Sequence, residues 1–468
     1  MMPPTNQRPH GRLVSYTLPA PELHPLTVLA QAYGQERFFW HDPHTQLIKV
    51  GFGIATELFA WGEHRYHQIR KQAKNLFTDA ITLTDEPHDT ISLTHFGPQL
   101  FGGFAFRDDF VPDNTWSIFH PAHFVLPHYQ LTQFGDESWL TINAFLPPDE
   151  TVDDLHVQLR AALRARYRYL RQSRFPQLPE RVTPMRVQYP LPYADWAANI
   201  NLAIDQIKAK KLTKVVLSRV CELRYLQPVA VDQALAYLAI EYADCYRFLF
   251  EPQPYHAFYG ATPELLVRVD QEAVTTMGLA GSIRRGQTPD EDTELAKQLF
   301  SSRKDRYEHD LVVQSIRKRL APLTTQLTIP NIPKIYKLSN IQHLFTPIHG
   351  RLTHPTGVLP LVETLHPTPA LGGTPRRPAM RFIQQTEPVP RGWYAAPIGW
   401  LDVNLDGAFA VAIRSAVSQD KRVWLYAGCG IVEDSDPELE WEETTLKFRP
   451  MLAALGLDDN FLAEDHHA

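Results

Sequence analysis

The part of this chain that most restricts how it can fold lies near the C-terminus, where an apolar strand, a glycine-rich step and an acidic helix follow one another. Val423 to Tyr426 reads as a strand running into a glycine turn, Ala427-Gly428-Cys429-Gly430-Ile431-Val432. After the acidic Glu433 to Asp436, Asp436 suits an N-cap and Pro437 the first helical position. On the helix that follows, Glu440 and Glu443 are three apart and Glu443 and Lys447 four apart, so the three side chains share a face. Two carboxylates and an ammonium beside a glycine turn can hold a hard metal ion and a carboxylate ligand. They also suit a solvated acidic helix face, and the stretch alone does not choose.

Composition narrows the partners. The chain has 468 residues, 44% hydrophobic and 21% charged, which is a soluble globular composition with enough length for a large core. A formal net charge of −6 with no basic block argues against a nucleic-acid groove or an anionic membrane surface. Cys221, Cys245 and Cys429 are scattered without zinc spacing, so a reducing cytoplasm is expected. Met1 to Leu13 is polar and proline-rich, without the apolar segment of a signal peptide. No apolar run reaches membrane-spanning length, and a monomer or weak homodimer is expected.

The N-terminal part reads as scaffold. Strands are expected within Phe39 to Phe59, at Phe101 to Phe106, and as a meander over Trp116 to Phe124, Tyr129 to Phe134 and Trp139 to Phe145. Helices are expected over Glu63 to Phe77 and Asp153 to Gln172, and Phe175 to Pro192 reads as a linker. We place a division at residue 186, with 1–186 as scaffold and 187–468 as the catalytic region.

Residues with chemical potential accumulate after that point. Lys214 opens the strand Lys-Val-Val-Leu-Ser-Arg, as an exposed strand end or as a lysine at a cleft whose pKa desolvation lowers toward use as a base. Glu264 follows Thr-Pro between two strands, as a turn carboxylate or a general acid. Met277 to Gly286 reads as a glycine-punctuated loop in which backbone N–H groups near Gly281 and the Ser282 hydroxyl suit an oxyanion. A helix ending near Leu320 carries Asp305 and Glu308 on one face, so the chain holds two helices with paired carboxylates, a set suited to Mg2+ or to salt bridges with Arg303, Lys304 and Arg306. His343 and His366 are, taken singly, structural histidines. Gly392 to Trp400 and Phe409 to Arg414 read as strands, with Arg414 able to grip a carboxylate.

Together, Lys-Val-Val-Leu-Ser-Arg, Thr-Pro-Glu-Leu-Leu, Leu-Ala-Gly-Ser, Lys-Asp-Arg-Tyr-Glu-His, His-Pro-Thr-Pro-Ala-Leu-Gly-Gly and Gly-Cys-Gly-Ile-Val with Glu-Trp-Glu-Glu-Thr resemble, in order and spacing, the chorismate-utilising enzymes. Within these the chain most resembles isochorismate synthases of the menaquinone or siderophore type. The resemblance is strong from Lys214 to Lys447 and loose before. It implies one large α/β (α+β) unit with mostly antiparallel sheets surrounded by helices. It implies chorismate as substrate and Mg2+ as cofactor, with Lys214 the base that activates water for attack at C2 and Glu264 the acid that protonates the departing C4 hydroxyl. Glu308 and Glu443 match metal ligands, with Asp305 and Glu440 one layer behind them. Arg414, Tyr394, Lys447, Gly281, Ser282 and the Gly428 backbone match substrate contacts, and His343 and His366 fall in family motifs. Three alternatives stay open: a salicylate synthase, which goes on to eliminate pyruvate; an ammonia-using synthase subunit; and a non-catalytic chorismate-binding regulator. Lys214 stands where the ammonia-using anthranilate enzymes usually carry glutamine, which favours water.

Overall fold

The computed structural model describes residues 11–86, 96–147, 149–172 and 182–457. Residues 1–10, and 175–181 of the expected linker, lie outside these. Among the described residues no helix is long and apolar enough to cross a membrane.

The fold is a mixed α/β unit built, among the described residues, on 21 connected strands. Pairing is antiparallel except between Leu13–Pro19 and Ile81–Thr84. Starting from Lys214–Arg224, the path of paired strands runs through Arg422–Ile431, Ser415–Gln419, His256–Thr262 and Tyr246–Gln253 into the N-terminal strands Arg37–Asp42, Leu47–Ala60 and Ala122–Phe134. It returns through Leu100–Phe104 to Pro397–Leu401, Gly407–Val411, Leu265–Asp270, Ala273–Arg284 and Ile341–Leu352. Both ends of this path contribute to one cavity. Residues 1–186 and 187–468 are thus interleaved in pairing, since Arg37–Asp42 pairs with Tyr246–Gln253 and Leu100–Phe104 with Pro397–Leu401. A buried ion cluster ties them further: Arg37, 1% exposed, donates to Asp232 at 2.6 Å and Glu251 at 2.7 Å. Deleting Arg37 would leave the buried carboxylates of Asp232 and Glu251 without their cation, and such a loss typically costs about 3–5 kcal/mol.

Helix ends follow local chemistry. The Asp436 carboxylate accepts from the Glu438 and Leu439 N–H groups and Pro437 opens the helix Pro437–Ala454, as its sequence requires. Ser302 caps Arg303–Leu320 by accepting from the Asp305 N–H at 3.2 Å.

Four expectations are corrected. The glycine turn after Tyr426 is no turn: the strand continues to Ile431, with Gly428, Cys429 and Gly430 opposite Ser218, Leu217 and Val216. The expected loop from Met277 to Gly286 is largely the strand Ala273–Arg284, and Gly281, at φ +75°, is a bulge between Ala280 and Ser282. Glycine in both places marks close approach rather than chain reversal. Two strand boundaries also move: Ala122–Phe134 is one strand where two were expected, with Trp116 in a preceding turn, and Gly392 to Ala396 is a turn where strand was expected, before the shorter strand Pro397–Leu401.

Candidate active site

The glycines of Arg422–Ile431 explain how the site is built. A Cβ on Gly430 would lie 2.7 Å from Lys214 Cε and 2.9 Å from Glu308 Oε1, and one on Gly428 would lie 3.3 Å from the Tyr394 hydroxyl. The strand is therefore bare where these side chains cross it. Lys214, fully buried, has its Nζ 2.5 Å from Glu308 Oε1. At Gly281 a Cβ would lie 3.0 Å from Asp305 Cβ, so the bulge lets the helix Arg303–Leu320 sit against the strand.

The cavity collects Glu264, Gly281, Ser282, Asp305, Glu308 and His343 from one part of the chain. Tyr394, Arg414, Gly428, Glu443 and Lys447 complete it from the other. Lys214 reaches it through its pair with Glu308. Glu440 lies behind, 2% exposed, with Oε1 3.7 Å from Lys304 Nζ. His366 is the expected contact that the structure does not bring there. It lines a different cleft, and its Nε2 pairs with the Phe106 carbonyl oxygen at 3.0 Å, a structural role.

Charge is arranged in two groups. Glu264 is 4% exposed, and its carboxyl has no hydrogen bond or ion pair with a described residue. Burial pushes it up to about 8, with Lys214 pulling the other way, so at neutral pH it is a proton donor. Arg414 is buried at φ +50°, and burial lowers its pKa. Its guanidinium forms no ion pair with a described residue, which leaves it free for an anion. Lys447 donates to the Gly428 carbonyl oxygen at 2.9 Å and to Glu443 at 2.6 Å. Ser282 Oγ pairs with His343 Nδ1 at 2.8 Å, and burial drives His343 down to about 3, so the ring is neutral and its Nε2 has no partner.

The second group is acidic. Burial opposes ionisation of Glu308, but Lys214, then Lys447 and Lys304, hold it below the usual carboxylate range. Burial raises Asp305, and Glu308 and Glu443 add to that. Glu440 is raised by burial and by Glu443, and its Oε2 has no hydrogen-bond partner. Lys304 sits among all four: burial lowers its pKa, and Glu440, Glu443, Glu308 and Asp305 more than offset that. Among the described residues no three such ligands close into a ready cage. An all-oxygen set with an unsatisfied buried oxygen and an ammonium among its carboxylates still fits Mg2+, which keeps waters and substrate oxygens as ligands.

Sequence reasoning missed Lys304 as a site cation, and it missed Arg391. Arg391 lines the cavity, pairs with Glu387 at 2.6 Å, and donates to the carbonyl oxygens of Val216 and Leu371, both at 2.8 Å. Glu387 in turn accepts from the Ser218 N–H at 2.8 Å. The only sequence signal was a Glu and an Arg four apart just before Gly392. The N-terminal residues also prop the site: Trp116 Nε1 donates to the Tyr426 hydroxyl at 3.0 Å, and Tyr426 stacks on Tyr394 at 5.1 Å.

A buried acid, a buried lysine, a free guanidinium and a carboxylate nest suit proton transfer to and from a small, carboxylate-bearing substrate. Comparison with known proteins agrees. The family model described as chorismate binding enzyme matches residues 2–456. The chain is 36% identical over 453 residues to the isochorismate synthase MenF of Bacillus subtilis, covering 96% of this chain and 94% of that one. It is 35% identical over 426 residues to the salicylate biosynthesis isochorismate synthase of Pseudomonas aeruginosa, covering 90% and 86%. The solved structure of MenF, the menaquinone-specific isochorismate synthase from Escherichia coli, matches with a TM-score of 0.78 at 26% identity over 95% of each chain. Anthranilate synthase component I from Streptococcus pneumoniae shares the fold, with a TM-score of 0.68 at 20% identity over 90% of each chain. With its motifs gathered around one cavity and a family match over nearly its whole length, the chain belongs to the chorismate-binding enzymes.

Proposed function

We propose that this chain is an isochorismate synthase of the cytoplasm, converting chorismate to isochorismate with Mg2+. The observation that carries this reading is Glu264, a buried carboxyl held protonated at neutral pH in the same cavity as Glu308, the ion-pair partner of Lys214. Names among its relatives point the same way.

Lys214 takes a proton from water as the water oxygen bonds to C2. The ring double bond shifts, the C4–oxygen bond breaks, and Glu264 gives its proton to the departing hydroxyl, which leaves as water. One water enters and one leaves, so the product is an isomer of the substrate. Lys214 must offer a lone pair for this, and Glu308 serves both it and the proposed cation. Mg2+ held by Glu308 and Glu443, with Asp305 and Glu440 behind them, would offset the charge of the substrate's ring carboxylate. Arg414, Lys447, Ser282 and Tyr394 orient the dianion, and the base, Lys214, is buried away from bulk solvent.

The test is chromatography of products from chorismate and Mg2+ without ammonium. Isochorismate in equilibrium with chorismate is expected. Salicylate with stoichiometric pyruvate would replace this reading by a salicylate synthase; no product would replace it by an ammonia-using synthase if ammonium restores turnover, and by a chorismate-binding regulator if it does not.

A further inference from the structure

A second cleft, of about 680 Å3, lies where the helices Arg65–Phe77 and Arg376–Thr386 meet the segment around His366. Its wall carries Arg65, Arg107, Arg376, Arg377 and Arg381. Facing them are the carboxylates Glu63, Asp108 and Glu363. Arg107 is neutralised by Asp109 outside the wall. Arg376, Arg377 and Arg381 make no hydrogen bond or ion pair with a described residue. Two of these three occupy the first two positions of their helix, whose N-cap, Pro375, provides no side-chain cap. Cations at that end oppose the helix dipole, which normally favours anions there. Deeper in, Arg65 is 4% exposed. Its two Nη atoms donate to the carbonyl oxygens of Gly62 and Ala105, and its Nε has no partner. Partial burial lowers the Arg376 guanidinium; Tyr66, Asp108 and Glu363 pull the other way, and Arg65 adds to the lowering. Five guanidinium groups against three carboxylates leave the cleft lining with an excess of positive charge that an anion would offset.

We propose that this cleft is a second anion site, taking a small molecule that carries two or more carboxylate or phosphate groups. The guanidinium forks of Arg376, Arg377 and Arg381 bind such groups bidentately, and Arg65 supplies buried charge behind them. The cleft is coupled to the active-site cavity by packing between their linings. Phe106 lines the cleft, Arg391 lies over the Phe106 ring at 4.3 Å, and Arg391 holds Val216 and Leu371 of the active-site wall. An anion in the cleft is thus linked to the active-site wall through two side chains, Phe106 and Arg391. This inference does not depend on which reaction the active site performs.

The test is a thermal-shift titration of the full chain with pyrophosphate and, separately, citrate, with ionic strength held constant by NaCl. Wild type is compared with R376Q/R377Q/R381Q and with R414Q as an active-site control. The three cleft positions are exposed, so the triple variant keeps the fold, and single R381Q provides a milder second variant. At least one anion is expected to raise Tm in wild type and R414Q, with apparent affinity about tenfold or more weaker in the triple variant and weakened in the same direction in R381Q. A response to pyrophosphate alone assigns a phosphate ligand, and one to citrate alone a carboxylate ligand. No shift beyond the NaCl control, equal affinity in the triple variant, or loss of the shift in R414Q would overturn the proposal.

Discussion

Replacing Glu264 by glutamine separates the acid's chemistry from its thermodynamic burden. The carboxyl is 4% exposed and is raised from 4.5 to about 8, mainly by burial. A group whose folded pKa is raised contributes full stability below its unfolded pKa and loses it as pH rises toward the folded one. Wild type therefore loses stability from Glu264 between pH 4.5 and about 8. The slope is about 1.4 kcal/mol per pH unit. Glu264→Gln keeps the shape and cannot ionise, so it escapes this loss. Between about pH 5.5 and about pH 7.5 the stability gap in favour of the variant should widen by roughly 2–3 kcal/mol. For a chain of 468 residues that corresponds to roughly 3 °C in Tm. Differential scanning calorimetry of both proteins across that range measures the gap. Activity should fall at the same time by about 100-fold to 10,000-fold, because the amide has no proton to give. A Tm gap independent of pH, or a variant that turns over normally, would refute a buried protonated acid at this position.

Wild-type kcat/KM for chorismate should fall about tenfold per pH unit above about 8, as Glu264 ionises; a flat profile to pH 10 or so would assign the proton to another group. Lys214→Ala should abolish water addition while circular dichroism stays unchanged, and normal turnover would end the proposed mechanism. Glu308→Gln and Glu443→Gln should each shift the Mg2+ dependence of activity to at least about tenfold higher concentration; superimposable titration curves would reject these ligands. Gly430→Ala places a methyl 2.7 Å from Lys214 Cε and 2.9 Å from Glu308 Oε1, so activity should drop sharply with the overall fold retained, and a fully active variant would contradict the packing described.

Much of the site was legible in the sequence because its signals are local. Asp436-Pro437 starts a helix by hydrogen bonds to neighbouring N–H groups, and the spacing of Glu440, Glu443 and Lys447 fixes their common face. The pairing of Asp305 and Glu308 on a second helix was legible for the same reason. Glycine was the weak point. At Gly281, Gly428 and Gly430 the sequence offers only a missing side chain, and a chain reversal is the commoner reason for one. Here the reason lies in residues distant in sequence, Asp305, Tyr394, Lys214 and Glu308, which need the vacated space. His366 shows the opposite case, since its motif placed it among the site residues while packing turned it to the Phe106 carbonyl.

By itself, then, the sequence determined which residue types were present, which shared a helix face or strand, and the family in which that order occurs. Only the tertiary structure decided which of them meet, because a return path through the N-terminal strands brings Lys214–Arg224 and Ala273–Arg284 to one cavity. It also decided their charge states: Glu264 is an acid at neutral pH because its surroundings remove water, and Glu308 stays ionised because Lys214, 94 residues away in the chain, lies 2.5 Å from it.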